Sequence, residues 1–383
     1  MTTATRNLQR FFSQYKIVAL LLAIIIIWAF FGQITDGAFL TPRNFSNLLR
    51  QMAITGLLAS GMVFIIISGE IDLSVGSALG LLGGVCAAMD FTYHMPVAVT
   101  ILTVLVLGVL IGLFSGFCVA YQRIPSFIVT LAGLLAFRGV LLGLTNGTTV
   151  PLVSPSLKYI GDGYLPILPG NILCIAVFVL LVVLAFRTRS ARVQHGLAIS
   201  PLWQEVTKLG VIGAVIAGFI FTLNDYEGIP VPVLILLVIL GIFSFMANKT
   251  VFGRRIYSIG SNIEATRLSG VNVRAIKMSV FGLMGLMFAF AGLATTARLA
   301  AAAPSAGTMG ELDAIASCFI GGASSRGGVG TVHGALIGAL IMASLDNGMS
   351  MYGIEAFWQM IVKGSILLLA VWIDVVSGTG DSR

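Results

Sequence analysis

"ISGEIDLSVGSALGLLGG", residues 67–84, decides how the rest of the chain is read. It sets Glu70 and Asp72 two residues apart in a strongly apolar stretch and follows them with Gly76, Gly80 and Gly84. A carboxylate at the centre of a spanning helix costs about 2.5–3.5 kcal/mol on insertion scales, so two on one isolated helix are disfavoured. The cost falls if one helix ends near Gly69 and another starts after Asp72. Asp72 then caps the new N-terminus, where free N–H groups and the helix dipole favour an anion. Glu70 falls in the unwound linker, facing water or a partner cation.

Composition makes lipid the solvent. Of the 383 residues 57% are hydrophobic and 10% charged, with mean hydropathy +1.02; a soluble domain is roughly a quarter charged. A span needs about 20 mostly apolar residues. Such stretches begin near Ile17, Leu48, Asp72, Pro96, Ser126, Asn171, Leu209, Val231, Ile276, Gly330 and Phe357. Residues 311–321 form a shorter apolar run, fit for a half-span. The expectation is an all-α integral membrane protein: one polytopic bundle over residues 1–383, with about 10–12 membrane segments and short or broken helices near a pathway.

Basic residues orient the bundle. The first 16 residues carry Arg6, Arg10 and Lys16 with no acid, and no small-x-small cleavage site follows the next apolar run. That predicts an uncleaved first span. Two further basic segments hold Arg187, Arg189, Arg192 and Lys208, and Lys249, Arg254, Arg255, Arg267, Arg274 and Lys277. Simple alternation places all three on one side, and enrichment in Lys and Arg makes that side cytoplasmic. The N-terminus is expected there, and so is the C-terminus if 311–321 crosses. The isoelectric point near 9.4 then reflects topology. With no basic soluble surface, no nucleic-acid partner is expected.

Chemistry is sparse. Cys86, Cys118, Cys174 and Cys318 lie in apolar segments without CxxC spacing, and His94, His195 and His333 are scattered. No metal and no cofactor are expected. No nucleophile is paired with a base, so no enzyme chemistry is read. A phosphate-cradling loop needs G-x-x-x-x-G-K-[ST], and Lys249-Thr250, the one Lys followed by Ser or Thr, is preceded by Asn248. Energy must come from a partner chain or an ion gradient.

Glycine is abundant, 45 in all. Gly76, Gly80 and Gly84, then Gly108, Gly112 and Gly116, then Gly330, Gly334 and Gly338 recur every fourth residue, the spacing that lets helices approach closely in lipid. "VGSALGLLGG" (75–84) and "VGTVHGALIG" (329–338) match at Val, three Gly and a Leu, and weak internal similarity of this kind is what transporter repeats leave. Two more acidic clusters stand at "MGELDAIA" (Glu311, Asp313) and "SLDNGMS" (Asp346, Asn347); the Asn-Gly of the second reads as a helix end. In the most basic loop, "IEATRL" is helix-compatible and Ser269-Gly270 is a helix stop. A short helix ended by glycine suits docking of a cytoplasmic partner; a solvated basic loop is the plainer alternative.

"ISGEIDLSVGS", "PSFIVTLAG" with the following "FRG", "TNGT", "FGRRIYSIGSN", "EATRLSGV", "ELDAIA" and "GGASSRGGVGTVHGALIGA" resemble the membrane permeases of bacterial ABC importers for monosaccharides, the ribose/xylose/arabinose group. The resemblance covers about residues 44–374. Within the group, residues 171–226 look like the two-helix insertion of xylose-type members. The resemblance implies an inner-membrane permease that pairs with a second copy of itself, receives sugar from a periplasmic sugar-binding protein and is driven by a cytoplasmic ABC ATPase subunit. It implies a coupling loop within 249–277, carried by Glu264, Ala265, Arg267, Leu268, Ser269 and Gly270, with Thr266 where the family usually has alanine. Glu70, Asp72, Ser74, Gly76, Gly80, Asp313, Gly330, Gly334 and Asn347 are the candidate lining of the route. The alternative is an ion-coupled secondary sugar transporter in which Glu70, Asp72 or Asp313 carries the coupling ion.

Overall fold

A backbone in lipid must satisfy every N–H and C=O within itself, so apolar runs of span length become helices. The computed structural model of the chain describes residues 16–197 and 201–378; the expectation about Arg6 and Arg10 lies outside them. Among the described residues nine helices are long and apolar enough to cross a membrane, and two shorter apolar ones, Val18–Ile34 and Val75–Phe91, accompany them. Each of the apolar stretches read from the sequence has its helix.

In chain order these are α1 (Lys16–Ile34), α2 (Pro42–Ile67), α3 (Val75–Phe91), α4 (Val97–Ala120) and α5 (Ser126–Thr145). After β1 (Val150–Pro151), α6 (Pro155–Asp162) and β2 (Tyr164–Leu165) come α7 (Ile167–Gln194) and α8 (Leu202–Asn224). Then follow β3 (Ile229–Pro230), α9 (Val231–Lys249), α10 (Val251–Ser261), α11 (Ile263–Leu268) and α12 (Val273–Leu299). The chain closes with β4 (Ala301–Ala302), α13 (Gly310–Ile320), α14 (Val332–Met351) and α15 (Ala356–Gly378).

Enclosure sorts these helices. In α2 and α12, 78% and 67% of the apolar window is buried inside the protein, against 6% in α7 and α8 and none in α15. So α2 and α12 form the axis. The 171–226 region supplies the flanking pair α7–α8, tied by Arg189 to Glu205 at 3.1 Å.

The α4–α12 seam shows what the second glycine series does. A Cβ at Gly112 would stand 2.2 Å from the Phe281 carbonyl oxygen, and one at Gly108 2.5 Å from that of Gly285. The seam closes backbone on backbone, as close packing in lipid requires. The third series is only partly helical. Gly334 and Gly338 lie in α14 against Gly321 and Ser317, but Gly330 sits in the loop before it. The helix end expected at Asn347-Gly348 is also corrected: α14 continues to Met351, and Gly348 is held against the Phe31 ring.

Contacts define the two ends of the bundle. Gly328 N–H donates to Ile67 O at 2.8 Å, Gly327 and Gly328 pack on Gly260 and Ser261, and Asp374 accepts from Ser325 N–H at 2.9 Å. The ends of α2 and α15 therefore share one end of the bundle with α10 and α11. At the other end β1 pairs with β4 and β2 with β3, each antiparallel, and Arg50 is ion-paired to Asp162.

Candidate functional site: two broken segments and a short capped helix

Helix α5 serves as a ruler for depth. Ser126, at its start, accepts from Ile71 N–H at 3.3 Å; Gly133 packs on Ser74; Arg138 Nη1 donates to Pro304 O and Ala306 O at 2.8 Å each. At 1.5 Å per residue, Arg138 is about 18 Å beyond Ser126 and about 10 Å short of Thr145. The 68–74 connection thus climbs unwound from the α11 end, and α3 starts within the bundle. Residues 303–309 do the reverse. From Ala302, paired with Val150 at the opposite end, the chain runs to Gly307 beside Gly76, and there α13 starts.

The run 311–321 therefore belongs to a complete crossing, unwound in one half and helical in the other. The architectural counterpart of α3 is α13, each entered from a long axial helix through an unwound half-crossing; α14 starts at the α11 end instead. The helix break expected at Gly69 is present: α2 ends at Ile67 and Gly69 has φ 80°.

Asp72 is 1% exposed and accepts from Ser74 N–H at 2.8 Å and from Ser74 Oγ at 2.6 Å. It closes an Asx turn over residues 72–74, immediately before the helix, so the N-cap position expected for Asp72 falls to Ser74. Glu70 does meet a partner cation, Lys277 of α12, in an ion pair that leaves each side chain under 15% exposed. Asn347 is also enclosed, its Oδ1 accepting from Asn44 Nδ2 at 2.8 Å, which ties α14 to α2. Gly76, Gly80 and Gly334 pack against the backbones of Gly307, Ala306 and Gly321.

Asp313 enters a cluster absent from the sequence reading. Lys363 Nζ, on α15, lies 3.0 Å from Asp313 Oδ2 and 2.8 Å from Asp346 Oδ2. One cation serves two carboxylates, and Asp313 Oδ1 and Asp346 Oδ1 are buried without a hydrogen-bond partner among the described residues. Of the missed partners, Arg138, Lys277 and Lys363, two had a signal. Arg138 in "LLAFRGVLL" and Lys363 in "QMIVKGSILL" are lone cations inside apolar runs, and such residues require a partner.

At the shared end, α11 is a single turn and a half with both ends fixed. Asn262 accepts from Ala265 N–H at 2.9 Å, and Gly270, at φ 79°, turns the chain away. Thr266 is buried and donates to Asn262 O, which holds the helix base. The outward side carries Glu264 paired with Arg267 at 2.9 Å, and Leu268, 83% exposed. A large apolar side chain raised on a rigid, charged turn can seat in a partner's pocket. Among the described residues no group of His, Cys, Asp and Glu could hold a metal ion.

A family described as the permease component of branched-chain amino acid transport systems matches residues 44–371. The chain is 54% identical to the xylose transport system permease protein XylH of Haemophilus influenzae, over 94% of its own length and 96% of that protein's. It is equally identical to the Escherichia coli K12 XylH, covering 91% of it. The ribose import permease protein RbsC of the same strain is 34% identical, over 98% of this chain and 99% of that one. No solved structure matches the chain.

Proposed function

The chain belongs to this family of transport permeases, and from that premise we propose that it is the membrane subunit of an ATP-driven importer for a monosaccharide, D-xylose. The observation that carries the proposal is 54% identity to xylose permeases along nearly the whole of both chains. The end bearing α10 and α11 faces the cytoplasm, both termini lie on that side, and the opposite end, with its two small sheets, receives the sugar-binding protein. Having no phosphate-cradling loop of its own, the chain depends on a separate ATPase subunit docked at 264–270. A second copy completes the route.

The test is transport by proteoliposomes holding this chain with its ATPase subunit and binding protein. Labelled xylose should enter only with ATP and continue to enter when an uncoupler is added. Entry that collapses with the uncoupler and needs no ATPase subunit would establish the ion-coupled alternative.

A further inference from the structure

Most exposed positions half-way along the spans are apolar: on α7 they are Val179, Leu180 and Val183. One face breaks that rule. Between α5 and the unwound segment before α13, Ser305 and Thr308 are exposed, and Arg138 and Glu311 are partly exposed, at the depth where α3 and α13 start. Lipid is a poor neighbour for that set, so the face borders water or another protein.

Arg138 is only half used. Nη1 makes both of its hydrogen bonds, to Pro304 O and Ala306 O, while Nη2 and Nε have no partner among the described residues. Glu311 lies close enough for electrostatic attraction and makes no contact ion pair with it; one part of its carboxylate meets the Gly76 N–H at the start of α3, which fixes it beside the guanidinium. A guanidinium offers donors only and a carboxylate acceptors only. Between them they suit a neutral polyol, whose hydroxyls both accept and donate, through charge-assisted bonds. The acids first expected to line the route are engaged elsewhere: Asp72 with Ser74, Glu70 with Lys277 and Asp313 with Lys363.

We infer that the face carrying Arg138, Ser305, Thr308 and Glu311 is a wall of the sugar's route, and that Arg138 is the group that meets the sugar's hydroxyls. Backbone anchoring fixes the guanidinium, so its free edge presents donors without large reorganisation. The inference rests on the sugar-permease reading, and its test separates the two.

Ser305→Cys and Thr308→Cys are each treated with a charged, water-soluble thiosulfonate and with a hydrophobic maleimide. Val183→Cys is the lipid-facing control, and labelling of the unaltered chain is subtracted. Both new cysteines should react with the charged reagent, and the control only with the maleimide. Reaction of 305 and 308 with the maleimide alone makes the face a lipid face and overturns the inference. In the reconstituted complex, Arg138→Gln should lower xylose uptake at least tenfold while ATP hydrolysis stimulated by the loaded binding protein stays within twofold. Uptake within twofold of the unaltered complex also overturns it. If Arg138→Gln does not assemble, Glu311→Gln is held to the same uptake limits. Failure of the unaltered complex to import xylose refutes the sugar reading, whereas the labelling pattern still decides whether the face is wet.

Discussion

Gly76 and Gly307 stand so close that a Cβ on either would fall on the other's carbonyl oxygen, at 2.1 Å from Gly307 O and 2.0 Å from Gly76 O. This reciprocal approach is where the start of α3 meets the unwound lead into α13. Neither backbone can yield without moving the other's crossing.

Gly76→Ala should therefore lower the thermal midpoint of the detergent-solubilised protein. Overpacking typically costs about 1–3 kcal/mol, and a clash with backbone falls at the upper end. Gly143, on α5, has nothing within 4 Å of the point where a Cβ would stand, so Gly143→Ala should be neutral or stabilising by about 0.5–1 kcal/mol. Equal midpoints for the two variants would refute the packing account.

The Glu70–Lys277 pair predicts a rescue. Removing one partner of a buried pair costs about 3 kcal/mol or more, because a charge is left uncompensated. Lys277→Met should reduce the folded, membrane-inserted yield, and adding Glu70→Gln should restore most of it. A double variant no better than Lys277→Met would show that the two groups act independently.

At the three-member cluster the order of damage is set by charge count. Lys363→Met leaves Asp313 and Asp346 facing each other with no cation and should be severely destabilising. Asp346→Asn leaves Asp313 and Lys363 matched one to one and should be neutral or stabilising. Thermal midpoints of the two variants check the order, and a reversed order would refute it.

If α11 docks the ATPase subunit, as proposed, its variants should show a defect in partnership without a defect in folding. Leu268→Asp removes the apolar knob, and Gly270→Pro imposes a φ near −65° where the chain needs 79°. Both should abolish ATPase co-purification and uptake while the permease still inserts. Normal co-purification in Leu268→Asp would place the coupling contact elsewhere.

Local signals served the reading well. Each apolar run became a helix at its expected place, α11 formed over "IEATRL", and the chain broke at Gly69. Nothing local marked residues 303–309 as half of a crossing: "APSAGTM" has too few apolar residues for a span, and α13 alone is too short. The glycine repeat pointed from α3 to α14, although the matching architecture is in α13. Four-residue glycine spacing reports only that some backbone comes close, and α14 meets that need against Gly321 and Ser317.

What the sequence determined by itself was the solvent, the helices and the short capped turn over 263–270. Hydropathy, helix caps and glycine stops act within one or two turns of chain, so a linear reading captures them. Only the tertiary structure decided which charge answers which. Glu70 finds Lys277 across 207 residues and Asp313 finds Lys363 across 50. Arg138 reaches the carbonyls of Pro304 and Ala306, more than 160 residues away. In a low-dielectric interior a buried charge must be matched in space, and chain separation says nothing about that match.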